Sequence, residues 1–303
     1  MRRVACAALM LAALSLTAAC GSDETPAPTP EESITGTVSV ELDGRPFRLY
    51  VPDSYDEAKP APLVIGLHGY TSNSAELESY FDLAAQAEQR GFLYAMPDGT
   101  TNRSGEQFWN ATNACCDLQS SGVDDSTYLS NLIKTVQGQY AVDPDRVFLI
   151  GHSNGGYMSH RMACDHADQI TAIASLAGVL WADPSRCTPS RAVRVLQIHG
   201  TADATVRYDG GSFGSRASYP GAEATVAQWR EHNGCADVPE TTELALDLDS
   251  AVREAETTVT TYSEGCDDSG RVVLWSMVGS GHVPALTDDF TPAVLDFFFS
   301  SEA

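Results

Sequence analysis

Residues Arg146-Val147-Phe148-Leu149-Ile150-Gly151-His152-Ser153-Asn154-Gly155 decide the fold, read together with the Gly156-Tyr157-Met158-Ser159 that follow. Arg146 to Ile150 is a short apolar run of strand type, and Gly155 to Cys164 carries helical spacing. Between them lies Gly151-x-Ser153-x-Gly155. Five residues of this kind are unspecific by themselves; a strand before and a helix after make them informative. The flanking glycines let a strand reverse into a helix within one turn, which pushes the Ser153 hydroxyl outward. The helix N-terminus behind it favours developing negative charge.

Working outward, the same strand–helix alternation recurs. Thr35–Leu42 and Phe47–Val51 alternate across Asp43-Gly44 and predict an antiparallel hairpin. Pro62–Leu67 is a continuous apolar run of buried-strand type. Ala75–Arg90 has helical spacing and is stopped by Gly91. Phe92–Met96 reads as a strand, and Asp125–Tyr140 as a helix capped by Asp124 or Asp125. Strands follow at Ile170–Leu176, Val193–Ile198, Thr257–Tyr262 and Val272–Met277, with helices at Glu223–His232 and Phe290–Phe299. This order predicts an α/β domain with a mostly parallel central sheet and helices on both faces. No repeat or linker interrupts it after residue 33. Gly178–Ala192, where a lid would be inserted, is too short for a helical cap, so an open cleft bordered by 99–122 and 204–220 is expected.

A serine hydroxyl needs a general base within hydrogen-bond reach to act as a nucleophile. The partners expected in later loops are an acid and then a histidine. Asp203 follows the strand 193–198 and His282 follows the strand 272–277, so both have the right order and placement. His199 is the rival base and Asp209 the rival acid. An oxyanion would rest on two backbone amides. Asn154, after the serine, supplies one, and Tyr70, after the turn Leu67-His68-Gly69, supplies the other. His68 reads as a structural hydrogen-bond partner.

The 303 residues include 41 Asp and Glu against 18 Lys and Arg, a formal charge of −23. With no basic cluster, nucleic-acid binding and polybasic membrane attachment are excluded. A neutral or weakly charged substrate fits an acidic surface better. At the N-terminus, Arg2-Arg3, the uncharged run Val4–Ala19 and Cys20 read as a signal peptide over 1–19. The segment resembles a bacterial lipoprotein signal with Cys20 lipidated, although Thr17 stands where Leu is usual; ordinary cleavage near Ala19 is the alternative. Residues 20–33 read as a Pro-rich tether and 34–303 as the catalytic domain. Export turns Cys115, Cys116, Cys164, Cys187, Cys235 and Cys266 into disulfide candidates with the pairing open. Two different partners are expected for the adjacent Cys115 and Cys116.

These motifs together resemble the secreted polyhydroxybutyrate depolymerase and feruloyl esterase group of α/β-hydrolases. The resemblance is carried by Arg45-Pro46-Phe47-Arg48-Leu49-Tyr50-Val51-Pro52, Leu67-His68-Gly69, Phe108-Trp109 and Cys115-Cys116-Asp117. It continues through Val123-Asp124-Asp125, Gly151 to Ser159, Gln197 to Asp203 and Gly281-His282. It implies an exported serine carboxylic-ester hydrolase with Ser153 as nucleophile, Asp203 as acid and His282 as base. It also implies a Cys235–Cys266 bridge. The expected substrate is a polyester or oligoester, or a feruloyl or acetyl polysaccharide ester, handled by a monomer without metal or cofactor. Trp109 is the candidate substrate contact, its alternative role being to pack the loop 99–122. Two departures stand out: Val283-Pro284-Ala285 replaces the Trp often found after the histidine, and no polymer-binding module follows His282. A binding lipoprotein that has lost catalysis and a serine peptidase of the same fold are the alternatives.

Overall fold

The computed structural model describes residues 35–300. The N-terminal readings, namely the signal over 1–19, Cys20 and the tether, lie outside the described residues.

Strands β1 (Gly36–Val40) and β2 (Phe47–Val51) form the expected hairpin, with Asp43 and Gly44 both at positive φ in the turn. The chain then alternates through β3 (Ala61–Leu67), α1 (Ser74–Phe81), α2 (Leu83–Arg90) and β4 (Leu93–Met96). A small ladder of β5 (Thr100–Thr101) and β6 (Gln107–Phe108) precedes α3 (Asp125–Gln139), β7 (Val142–His152), α4 (Asn154–Asp165), β8 (Ala172–Leu176) and β9 (Arg194–Gly200). After a second ladder, β10 (Gly211–Ser212) with β11 (Ser218–Tyr219), come α5 (Ala222–His232), β12 (Glu240–Leu246), β13 (Thr257–Tyr262), β14 (Val272–Met277) and α6 (Phe290–Phe299).

The main sheet has the order β1-β2-β4-β3-β7-β8-β9-β14-β13-β12. From β4 to β14 every neighbour is parallel, and the outer strands on both sides are antiparallel. Parallel strands need crossovers, and the crossover helices cover both faces. Leu129, Ile133, Met158, Met162, Val226 and Trp229 of α3, α4 and α5 join the core on one face. Leu77, Phe81, Leu83, Val294 and Phe298 of α1, α2 and α6 join that on the other. Alternation along β7 divides accordingly: Val147 and Leu149 point to the first core, Phe148 and Ile150 to the second. Every residue of β3 is buried, as a strand covered on both faces requires.

The expected single helix over 75–90 is two helices. Asp82 adopts the left-handed conformation (φ 50°, ψ 43°), which a short polar side chain tolerates. Its N–H still donates to the Glu78 carbonyl, and the Glu78 carboxylate receives the Ala84 amide at 3.0 Å, so the amides of Asp82 and Ala84 both keep an acceptor across the break. Asn73 caps α1, and Asp124, not Asp125, caps α3. Asp125 is fully buried and pairs with Arg45 at 2.7 Å; it also accepts from the Asn110 amide and the Thr100 hydroxyl. The ion pair ties the β1–β2 turn to α3, and the Thr100 and Asn110 bonds to the same carboxylate anchor the long loop after β4 there.

Among the described residues three disulfides form: Cys115–Cys116, Cys164–Cys187 and Cys235–Cys266. The last is the pairing that the resemblance implied. The first corrects the expectation of separate partners for adjacent cysteines: the peptide between them is cis, which places their Cα atoms 3.0 Å apart and lets the ring close. Cys164–Cys187 ties the end of α4 to the segment before β9, where only a short turn, Pro184–Arg186, is formed.

Candidate active site

Ser153 stands between β7 and α4 at φ 54°, ψ −117°, with its amide donating to the Leu176 carbonyl at 2.7 Å. The two flanking glycines are steric requirements. A Cβ on Gly151 would lie 2.2 Å from the Gly155 backbone, and one on Gly155 would lie 1.9 Å from the Leu67 carbonyl oxygen. The turn thus packs directly against the end of β3, beside the Gly69-Tyr70 segment.

Asp203 and His282 arrive from the loops after β9 and β14, neighbouring parallel strands whose registers align His199 with Ser276 and Gly200 with Met277. Thr201 and Ala202 are hydrogen-bonded to Met277 and Ser280, which holds the two loops together. The result is a linear array. His282 Nε2 lies 2.9 Å from Ser153 Oγ, and His282 Nδ1 lies 2.7 Å from Asp203 Oδ2. The other Asp203 oxygen accepts the Thr205 and Val206 amides at 2.8 and 2.9 Å. Burial raises the Asp203 carboxyl, but N–H groups from His199 and His282 and the Thr205 amide outweigh it and hold the group well below the usual carboxylate range.

The rivals fall into other roles. His199 Nε2 donates to the Val206 carbonyl at 2.8 Å and lies 3.5 Å from Asp203, while the imidazole bonded to Ser153 is that of His282. Asp209 is exposed. His68 is buried between the Gly69 carbonyl and the Gly99 amide, both at 2.8 Å, in the structural role expected of it. Tyr70 and Asn154 flank Ser153, and among the described residues neither backbone amide has a hydrogen-bond partner. The Tyr70 hydroxyl donates to Glu106 at 2.9 Å, which fixes its segment against loop 99–122.

Trp109 requires a correction. Its ring is fully buried, with Nε1–H donating to the His68 carbonyl at 3.0 Å and Arg45 over its face at 5.4 Å. It packs the loop and offers no surface for a substrate. The cavity beside Ser153, about 310 Å³, lies instead toward α1, between Tyr70, Leu77, Tyr80, His152, His282 and Val283. Sequence reading missed this wall and also the role of His152. Half-buried and edge-on to Tyr80, His152 donates from Nε2 to the His282 carbonyl at 2.9 Å, and desolvation pushes its pKa down to about 4. Its place inside the Gly-x-Ser-x-Gly pattern was the available signal. Among the described residues no group of three or more His, Cys, Asp or Glu is arranged to hold a metal ion.

The sheet order, the turn at Ser153 and the loops at 203 and 282 define the α/β-hydrolase class. Residues 42–243 match the model of the family described as "Putative esterase", and the chain belongs to that family. Feruloyl esterase B of Piromyces equi is 33% identical over 195 residues, covering 62% of this chain and 35% of that protein. Feruloyl esterase C of Emericella nidulans is 29% identical over 178 residues, covering 56% and 59%. The chain therefore spans about a third of the first relative and little more than half of the second. An acetyl xylan esterase from Aspergillus awamori superimposes with a TM-score of 0.63 at 18% identity, over 87% of this chain and 98% of that one. That likeness is one of fold.

Proposed function

We propose that this protein is a serine carboxylic-ester hydrolase working through Ser153, His282 and Asp203. The observation that carries the reading is the unbroken pair of hydrogen bonds, 2.9 Å from Ser153 to His282 and 2.7 Å from His282 to Asp203. Ser153 Oγ attacks the ester carbonyl carbon while its proton passes to His282 Nε2. Asp203 accepts the Nδ1–H, keeps the imidazole in the working tautomer and stabilises the imidazolium. The tetrahedral oxyanion lies against the amides of Tyr70 and Asn154, with the N-terminus of α4 behind it. Collapse expels the alcohol with the proton from His282. Water, deprotonated by the same imidazole, then releases the acid and frees Ser153.

The names of the curated relatives favour a hydroxycinnamoyl or acetyl ester of a polysaccharide over a polyester as substrate. An exported protein is in keeping with three disulfides and with the apolar leader, cleaved before Cys20 and followed by a tether to a catalytic domain over 34–303. A fluorophosphonate adduct should appear on the wild type by intact mass and be absent from Ser153→Ala. The variant should lose about 10³-fold or more in kcat/KM on an aryl ester. Retention of wild-type hydrolysis by Ser153→Ala refutes the assignment. A panel of feruloyl, acetyl and hydroxyalkanoate esters ranked by kcat/KM then fixes the substrate class.

A further inference from the structure

Behind Asp203 runs a second chain of polar side chains, all buried. The Trp229 indole N–H donates to His160 Nδ1 at 2.9 Å, and His160 Nε2 meets Gln197 Oε1 at 2.9 Å. Gln197 Nε2 donates to the Gly178 carbonyl at 2.9 Å and faces His199 Nδ1 at 3.3 Å. His199 Nε2 faces the Val206 carbonyl at 2.8 Å and Asp203 Oδ2 at 3.5 Å. Trp229, His160, Gln197 and His199 are each 0% exposed.

The polarity of this chain is fixed at its far end. An indole nitrogen only donates. His160 Nδ1 must therefore accept, its proton must sit on Nε2, and the Gln197 oxygen must face that proton. The Gln197 amide nitrogen then points to Gly178 and to His199 Nδ1. That leaves the proton of His199 on Nε2, directed at Val206 and Asp203. Burial also pushes the His160 pKa down to about 4, in keeping with a neutral ring.

We propose that His199, locked in one tautomer by Trp229, His160 and Gln197, is a positioning residue for Asp203. It acts in two ways. Its bond to the Val206 carbonyl fixes the residue whose amide binds Asp203 Oδ1 at 2.9 Å. The same Nε2–H, bonded to Val206, lies 3.5 Å from the Asp203 oxygen that His282 uses, so its positive end draws on the carboxylate charge that His282 faces. The inference rests on the assignment of Asp203 and His282 to catalysis. The groups facing the pair from neighbouring elements are His152 at the end of β7, Tyr157 on α4, and Tyr208. Tyr208 stands edge-on to His199 at 5.7 Å with its hydroxyl 2.7 Å from Ser276 Oγ.

The test is kinetic. His199→Leu removes the donor, and His199→Gln keeps an N–H at the Nε2 position. Gln197→Glu is isosteric but presents an acceptor to His199 Nδ1. His199→Leu should lose about 10- to 100-fold in kcat with little change in KM, because Asp203 shifts relative to His282. The acid limb of its kcat/KM profile should move to higher pH, since the whole carboxylate charge then faces the His282 imidazolium. His199→Gln should recover most of the kcat and restore the limb. Gln197→Glu should lower kcat and displace the limb, and it decides the matter if His199→Leu does not fold. Wild-type kcat and limb position in His199→Leu or Gln197→Glu would overturn the proposal. So would equal losses in His199→Leu and His199→Gln with the limb unmoved. Ser153→Ala, assayed in parallel, separates the two readings: an active Ser153→Ala refutes the triad itself, whereas an inactive one beside wild-type-like His199 variants refutes only the relay.

Discussion

The Asn154 side chain holds Trp109 by both backbone groups: Oδ1 accepts the Trp109 N–H at 2.7 Å, and Nδ2 donates to the Trp109 carbonyl at 2.9 Å. The same Nδ2 lies 3.6 Å from Cys115 Sγ. The residue after Ser153, whose amide is proposed to receive the oxyanion, is thus also the clamp on loop 99–122. Asn154→Ala orphans two buried backbone groups, each costing about 1–3 kcal/mol. Urea unfolding should show that loss, and kcat should fall more than KM rises, since the amide at position 154 loses its support. Stability within 1 kcal/mol of wild type (about one such cost), with unchanged kcat, would show that the clamp is dispensable.

Stability should fall on mild acidification. Burial pushes the pKa values of His152 and His160 down to about 4 each, against about 6.5 in the unfolded chain. Between those values the unfolded chain binds protons that the folded chain refuses, so unfolding free energy rises with pH across this window. Two such groups contribute on the order of several kcal/mol between pH 7.5 and 5. Asp203 acts lower down: its depressed pKa stabilises the fold above the unfolded value of about 4 and ceases to do so as pH falls further. Urea midpoints measured at pH 7.5 and 5 should differ clearly; coincident curves would contradict the neutral state of these imidazoles.

The disulfides differ in what they support. Cys164–Cys187 closes a separation of 23 residues and Cys235–Cys266 one of 31, and each should stabilise by about 3 kcal/mol through loop closure. Removing Cys164 and Cys187 together by alanine should lower the unfolding free energy by that order. Turnover should change little, because the bridge lies at the far end of α4 from Ser153. A loss of kcat without a loss of stability would place the bridge in the site's support. Thiol titration of the denatured, unreduced protein should find no free thiol among these four cysteines or Cys115 and Cys116.

The strand–turn–helix at 146–164 and the loops carrying Asp203 and His282 were legible because each is punctuated locally: an apolar run ends, glycine follows, and the next element starts. What stayed hidden depends on partners remote in sequence. Nothing near Trp109 announces that Asn154, 45 positions later, binds its backbone. Asp82 lies within an unbroken helical pattern, and only Glu78 and Ala84 make its left-handed break tolerable. Strand β12 lies in an acidic stretch with weak alternation, and it forms by adding to the free edge of β13. His199 showed its residue type but not its second role, which requires Gln197, His160 and Trp229 to converge from β9, α4 and α5.

Access to Ser153 should not be gated. The segment Gly178–Ala192, the usual place for a lid, is pinned by Cys164–Cys187 and holds only the Pro184–Arg186 turn. The acidic stretch 236–256, another segment long enough to fold over the site, is committed elsewhere. Its strand β12 pairs with β13, and Asp249 binds the Ala285 amide at 3.0 Å within the loop that carries His282. The cavity at Ser153 is walled by α1 and by His282-Val283, and both walls are anchored by the Tyr80 hydroxyl on the Pro284 carbonyl at 2.8 Å. No closure step is then needed to assemble the site. Rates on a short soluble ester should follow a simple hyperbola through the solubility limit. A sharp rise where the substrate begins to form an interface would mean that one of these anchored segments opens, and cross-linking residue 80 to residue 284 should then abolish the rise.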